Sequence, residues 1–188
     1  MIKKETIKKY LDDLSSEEAT PGGGSAAGVT GAMGIALALM AIRISDKRKA
    51  FQALSKEEQE KITNTIEKLE NLQDKMLQAS DFDEEVFTDY MIALHSKNEA
   101  SLKKATTACF NVPYKLVLLC FDALSAIDIV APYVAASLQS DLKMSYILVK
   151  AAIESCDVNL QINMTPLLDE ANKVKYQSIS RTIKESLK

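Results

Sequence analysis

The chain has 188 residues, a formal net charge of −3, 47% hydrophobic and 26% charged residues. That is the length of one domain, read here as spanning 1–188, with enough apolar material for a sizeable core. The faint acidity excludes a general nucleic-acid binder, and four prolines with six glycines are too few turn residues for a sheet protein of this size.

Residues 2–14 predict an amphipathic helix carrying Ile2, Ile7, Tyr10, Leu11 and Leu14. Its mixture of acids and bases has no apolar h-region, so it does not read as a signal peptide. "SSEEATPGGG" is a break, and a second helix is expected from about Ser25 to about Ser45. No charge occurs between Ala19 and Ile42. That length approaches the ~20 residues of a membrane span, but it opens on a loop and continues rich in Ala and Gly. A central helix packed on all sides is the expectation, with no membrane partner.

A polar connection follows, and Ser55 before Glu57 and Glu58 reads as an N-cap with acids in the first turn. Ile62, Ile66, Leu69, Leu72, Met76 and Leu77 keep a helical period, which continues or kinks at "ASDFD" into Val86, Phe87, Tyr90, Met91 and Leu94. A shorter helix is expected near 99–110. Pro113 then restarts the chain into a buried helix over 113–130, which Pro132 kinks. A helix over 141–163 and a last one, opened by Pro166 and running to about Leu187, complete the chain. The reading is an all-α, up-and-down bundle of about seven helices around a buried Gly-rich helix. Cys109, Cys120 and Cys156 form no CxxC pair and read as buried, reduced thiols of a cytoplasmic protein.

All six glycines lie in "TPGGGSAAGVTGAMG". Gly28, Gly31 and Gly34 each cost about 1 kcal/mol relative to Ala within a helix; close approach of a neighbouring helix, or of a flat ligand, offsets that. Pro21, Gly22, Gly23, Gly24 and Ser25 stand where free backbone N–H groups and the positive helix end would meet an anion or a developing negative charge. A plain turn has the same composition. No GK[ST] follows, so this is not a P-loop.

"TPGGGSAAGVTGAMGIALALM" resembles the signature of the cyclodeaminase/cyclohydrolase family of folate enzymes. "DEEVFTDYMIAL" (83–94), "NVP" (111–113) and "SDLKMSYILVKAAIESCDVNLQINM" (140–164) resemble further segments of that family, in order. Val134 and Ala135 replace a Gly-Asn pair frequent there. The resemblance implies a folate one-carbon enzyme with tetrahydrofolate as substrate carrier and no metal. The first expectation is 5-formimidotetrahydrofolate cyclodeaminase: N10 attacks the formimidoyl carbon and ammonia leaves, giving 5,10-methenyltetrahydrofolate. The alternatives are methenyltetrahydrofolate cyclohydrolase, giving 10-formyltetrahydrofolate, and a non-catalytic helical binding protein.

Either reaction needs a proton carrier, and a carboxylate would stabilise the cationic carbon. The single histidine, His95, ends a helix and reads as a cap. Asp83 shares a helical face with Phe87 and Tyr90, so a raised pKa would suit it as an acid; a solvated first-turn acid is the plainer role. Asp141 opens a helix as an N-cap, and the resemblance adds a catalytic reading. Asn159 and Asn163, one turn apart, would hydrogen-bond the pterin edges or bridge helices. Lys47, within "DKRK" (46–49), would meet the folate's glutamate carboxylates, as would Lys103, Lys104 or Lys115. Asp141 and Asn159 lie about 27 Å apart along a straight helix. They therefore bind opposite ends of the folate or belong to a site shared across a homodimer.

Overall fold

The computed structural model describes residues 1–187. Among these, seven α-helices and three short 3₁₀ turns make up the regular structure, with no strand. The N-terminal helix divides in two. Ile2–Lys4 is a 3₁₀ turn, and α1 (Ile7–Leu14) starts afresh where the Thr6 hydroxyl accepts the Lys9 N–H at 3.1 Å. Only Tyr10 of α1 is buried.

Helix α2 (Gly23–Asp46) begins two residues before Ser25, with Gly22 as its N-cap, so two of the loop glycines are helical. The short α3 (Lys49–Gln52) interrupts the expected polar connection. Helix α4 (Lys56–Ser96) opens on a full capping box between Ser55 and Glu58 and passes through Ala79–Asp83 without a break. It ends on Lys97 in the left-handed region, at φ 54°. Helix α5 (Glu99–Val130) is also continuous, with Pro113 inside it, so the expected restart at Pro113 does not occur. Pro132 lies in a 3₁₀ turn, Ala131–Tyr133, after the helix. Helix α6 (Gln139–Ile162) starts before Asp141, which is a first-turn acid and not the N-cap. Helix α7 (Glu170–Ser186) starts at Asp169, not Pro166, because the Asp169 carboxylate accepts the Asn172 N–H at 2.9 Å.

The four long helices, α2, α4, α5 and α6, alternate in direction. Gly24 meets Asp83, while Gly31 meets both Met76 of α4 and Ala152 of α6, so α4 and α6 run antiparallel to α2. Ile35, Ile42, Met76, Phe110, Leu116 and Ile153 are fully buried between them, each stabilising the fold by about 1.5–3 kcal/mol. The helix glycines permit this spacing. A Cβ on Gly34 would lie 2.7 Å from Val149 Cγ2 and 3.0 Å from the Ser145 carbonyl oxygen, and one on Gly28 would overlap Ser80 Oγ. Of the three thiols expected to be buried, Cys120 and Cys156 are buried and Cys109 is half-buried. Among the described residues two helices, α2 one of them, are long and apolar enough to cross a membrane, and 61% of the apolar window of α2 is buried inside the structure. The outer side of α2 leaves Met33, Met40 and Ile44 exposed, and α6 adds Met144 and Ile147.

Candidate active site

Because α2 and α6 are antiparallel, the first turn of α2 meets the last turn of α6. Asp83 of α4 and Cys109 of α5 reach the same level. They bound a cavity of about 200 Å³ lined by Ala19, Thr20, Gly22, Gly23, Asp83, Phe87, Cys109, Asn159, Ile162 and Asn163. Larger grooves exist elsewhere: about 520 Å³ between α1 and α2, and about 370 Å³ between α4 and α5. The small cavity is the candidate because there a carboxyl, two amides and a helix N-terminus converge.

Asp83 is held by α2 itself. The helix has no side-chain cap of its own, and the Ser25 backbone N–H donates to the Asp83 carboxylate. Burial raises the Asp83 pKa above the ordinary carboxylate range, and the Ser25 hydrogen bond opposes this only in part. No glycine has positive φ, so the triple glycine does not serve an unusual turn. At Gly24 it serves proximity: a Cβ there would fall on the carboxylate of Asp83.

Ser25 is buried beneath the cavity, its hydroxyl 3.2 Å from Tyr10 Oη and 3.5 Å from Glu84 Oε1. Burial, followed by repulsion from Asp81, raises the pKa of Glu84. Cys109 is no nucleophile at neutral pH, since burial and then the nearby Asp83 push its thiol up to about 11.

The two amides differ. Asn159 makes no side-chain hydrogen bond among the described residues, and a Cβ at Gly23 would stand 3.7 Å from its Oδ1. Asn163 Nδ2 donates to the Cys109 carbonyl oxygen at 2.8 Å. Gly22, Gly23, Asp83, Asn159 and Asn163 are therefore brought together, with Gly24 and Ser25 behind them; Pro21 does not line the cavity. Lys47 and Asp141 are not brought in. Lys47 caps the far end of α2 and Asp141 starts α6 at that same end, about 27 Å or more along the helices. His95 is exposed in the last turn of α4, its Nδ1 donating to the Met91 carbonyl oxygen at 2.6 Å, as a capping role requires. Sequence reasoning missed Tyr10, Glu84 and the Cys109 carbonyl. Only the last had a signal, in the proline four residues on. Among the described residues no group of three or more His, Cys, Asp or Glu is placed to hold a metal.

The sequence model of the family described as Formiminotransferase-cyclodeaminase matches residues 6–181. The chain belongs to this family. Within the formiminotransferase-cyclodeaminase family, it is similar to the methenyltetrahydrofolate cyclohydrolase of Methylorubrum extorquens, 28% identical over 180 residues that cover 91% of this chain and 85% of the relative. It is 24% identical over 187 residues to the formimidoyltransferase-cyclodeaminase of Gallus gallus, covering 94% of this chain and only 34% of that longer protein. Both names are those of enzymes acting on folate derivatives. The crystal structure of the formiminotetrahydrofolate cyclodeaminase of Thermotoga maritima shares the fold, with a TM-score of 0.88 at 23% identity, covering 99% of this chain and 93% of that one.

Proposed function

We propose that the chain is a folate one-carbon enzyme acting as a 5-formimidotetrahydrofolate cyclodeaminase. The observation that carries this is the Asp83 carboxyl, half-buried at the first turn of α2, with raised proton affinity and a free amide, Asn159, across the cavity. N10 attacks the formimidoyl carbon, and Asp83 takes the N10 proton. It returns the proton to the amino group of the tetrahedral intermediate, the C–N bond to that group breaks, and ammonia leaves. The 5,10-methenyl cation that remains is stabilised by the carboxylate it faces. Asn159 orients the pterin through its amide. The same carboxyl can deliver water to the methenyl carbon, and the identity to a cyclohydrolase over most of both chains supports that second reading.

A cavity of about 200 Å³ is below the roughly 300–1,000 Å³ of pockets that enclose a drug-sized ligand. It suits the reacting end of a folate and leaves the remainder outside. We therefore propose a homodimer in which the exposed Met33, Met40 and Ile44 of α2 pack on a second copy in antiparallel sense. That arrangement brings the partner's Asp141 and Lys47 toward this cavity, where they serve the second catalytic carboxylate and the glutamate tail.

The test is to mix the protein with 5-formimidotetrahydrofolate, and separately with 5,10-methenyltetrahydrofolate, and to follow the near-ultraviolet band of the methenyl form. Appearance of the band with ammonia release is the expected result. Accelerated loss in the second mixture alone assigns the cyclohydrolase reaction, and no change in either leaves a binding protein.

A further inference from the structure

Pro113 stands inside the unbroken helix α5. It has no N–H, so the carbonyl of Cys109, four residues earlier, lacks its helical donor, and the proline ring crowds that carbonyl outward. The missing donor comes from another helix. Asn163 Nδ2 reaches the Cys109 oxygen at 2.8 Å, from 54 residues further along the chain. Asn163 is also the residue on which α6 ends, its own N–H donating to the Asn159 carbonyl at 3.1 Å.

We infer that Asn163 is a positioning residue: by supplying the donor that Pro113 removes, it fixes the last turn of α6 on α5 and so sets Asn159 against Gly23. The two amides of the N-x-x-x-N pair divide the work. Asn163 has committed one of its two amide N–H groups to protein, while Asn159, one turn earlier, keeps both amide atoms for a ligand. Proline and asparagine form one device, since without the proline the Cys109 carbonyl would bond within its own helix and have little need of α6.

The claim about turnover rests on the proposed folate reaction; the claim about the link does not. The experiment is a double-mutant cycle of Asn163→Ala and Pro113→Ala, read by melting temperature and by kcat/KM on whichever folate the wild type turns over. Asn163→Ala alone is expected to lower the melting temperature by about 3 °C and kcat/KM by about tenfold. Pro113→Ala restores an N–H to the Cys109 carbonyl, and in that background most of both losses should disappear. Asn163→Asp, equal in size but facing the Cys109 carbonyl oxygen with a carboxylate in place of the donor, should lose at least as much as Asn163→Ala. Equal losses with and without Pro113 would overturn the inference and make Asn163 a direct ligand of the substrate. If the wild type turns over neither folate, the functional reading falls, and the melting-temperature cycle still decides whether the link exists.

Discussion

Gly24 exists for Asp83. The carboxylate occupies the space where a Cβ would stand on the first turn of α2, so helix start and candidate proton carrier touch backbone to side chain. Gly24→Ala would raise intrinsic helix propensity by about 1 kcal/mol while pushing Asp83 away. The expected result is a melting temperature within a few degrees of wild type and kcat lower by about 100-fold. Gly23→Ala, also in the cavity wall, is the comparison: a Cβ there meets Asn159 at an ordinary 3.7 Å and displaces no carboxylate, so its loss should be the smaller. Equal turnover in all three proteins would separate the glycine from the chemistry.

Asp83→Asn should cut kcat by about 10²–10⁴-fold without lowering stability at neutral pH. Burial raises the Asp83 pKa in the folded chain above its unfolded value. A raised pKa contributes stability that is fully present below the unfolded pKa and is lost as pH rises through the folded one. At neutral pH wild type carries that loss and the amide does not. The melting-temperature difference should therefore favour Asp83→Asn at pH 7, shrink as the pH falls through the raised folded pKa toward the ordinary carboxylate value, and change no further below it. A difference independent of pH would refute the buried-carboxyl account.

The shared-site proposal predicts complementation. Asp83→Asn and Asp141→Asn proteins, each inactive, should recover about a quarter of wild-type activity when subunits are exchanged, since half the dimers are mixed and each of those has one intact site. Recovery of nothing, with mixed dimers shown to form, would remove Asp141 from the site. Met40→Asp, on the exposed side of α2, should shift sedimentation toward monomer.

Cys109 lines the cavity but its thiol is pushed up to about 11. Alkylation of the folded chain at pH 8 should therefore be about 100-fold or more slower than for an ordinary exposed thiol, and should accelerate up to pH 11. Cys120 and Cys156 are buried and should react only on unfolding. Fast, single-site labelling of Cys109 at pH 7 would contradict the burial that also sets Asp83.

Most of the bundle was legible because its signals are local. Ser55 and Glu58 mark the start of α4 by their own spacing, and the period from Ile62 to Leu77 marks its buried face. Failures arose where tertiary contacts override local grammar. Pro113 looked like a helix start, but its orphaned carbonyl is satisfied by Asn163, which no local window contains. The glycines were legible as close approach, and Asp83 with Phe87 as one face of a helix. That Gly24 and Asp83 belong together was not legible, because only the antiparallel sense of α2 and α4 brings them into contact.

That antiparallel sense also governs the pair α2 and α6. The cavity lies between the start of one helix and the end of the other, each equivalent to roughly half an elementary charge of opposite sign. The space is polarised before anything enters it. Two ligands of the same shape but reversed dipole would be told apart by orientation alone, and charge moving from one helix end toward the other during a reaction would do so along a field already in place.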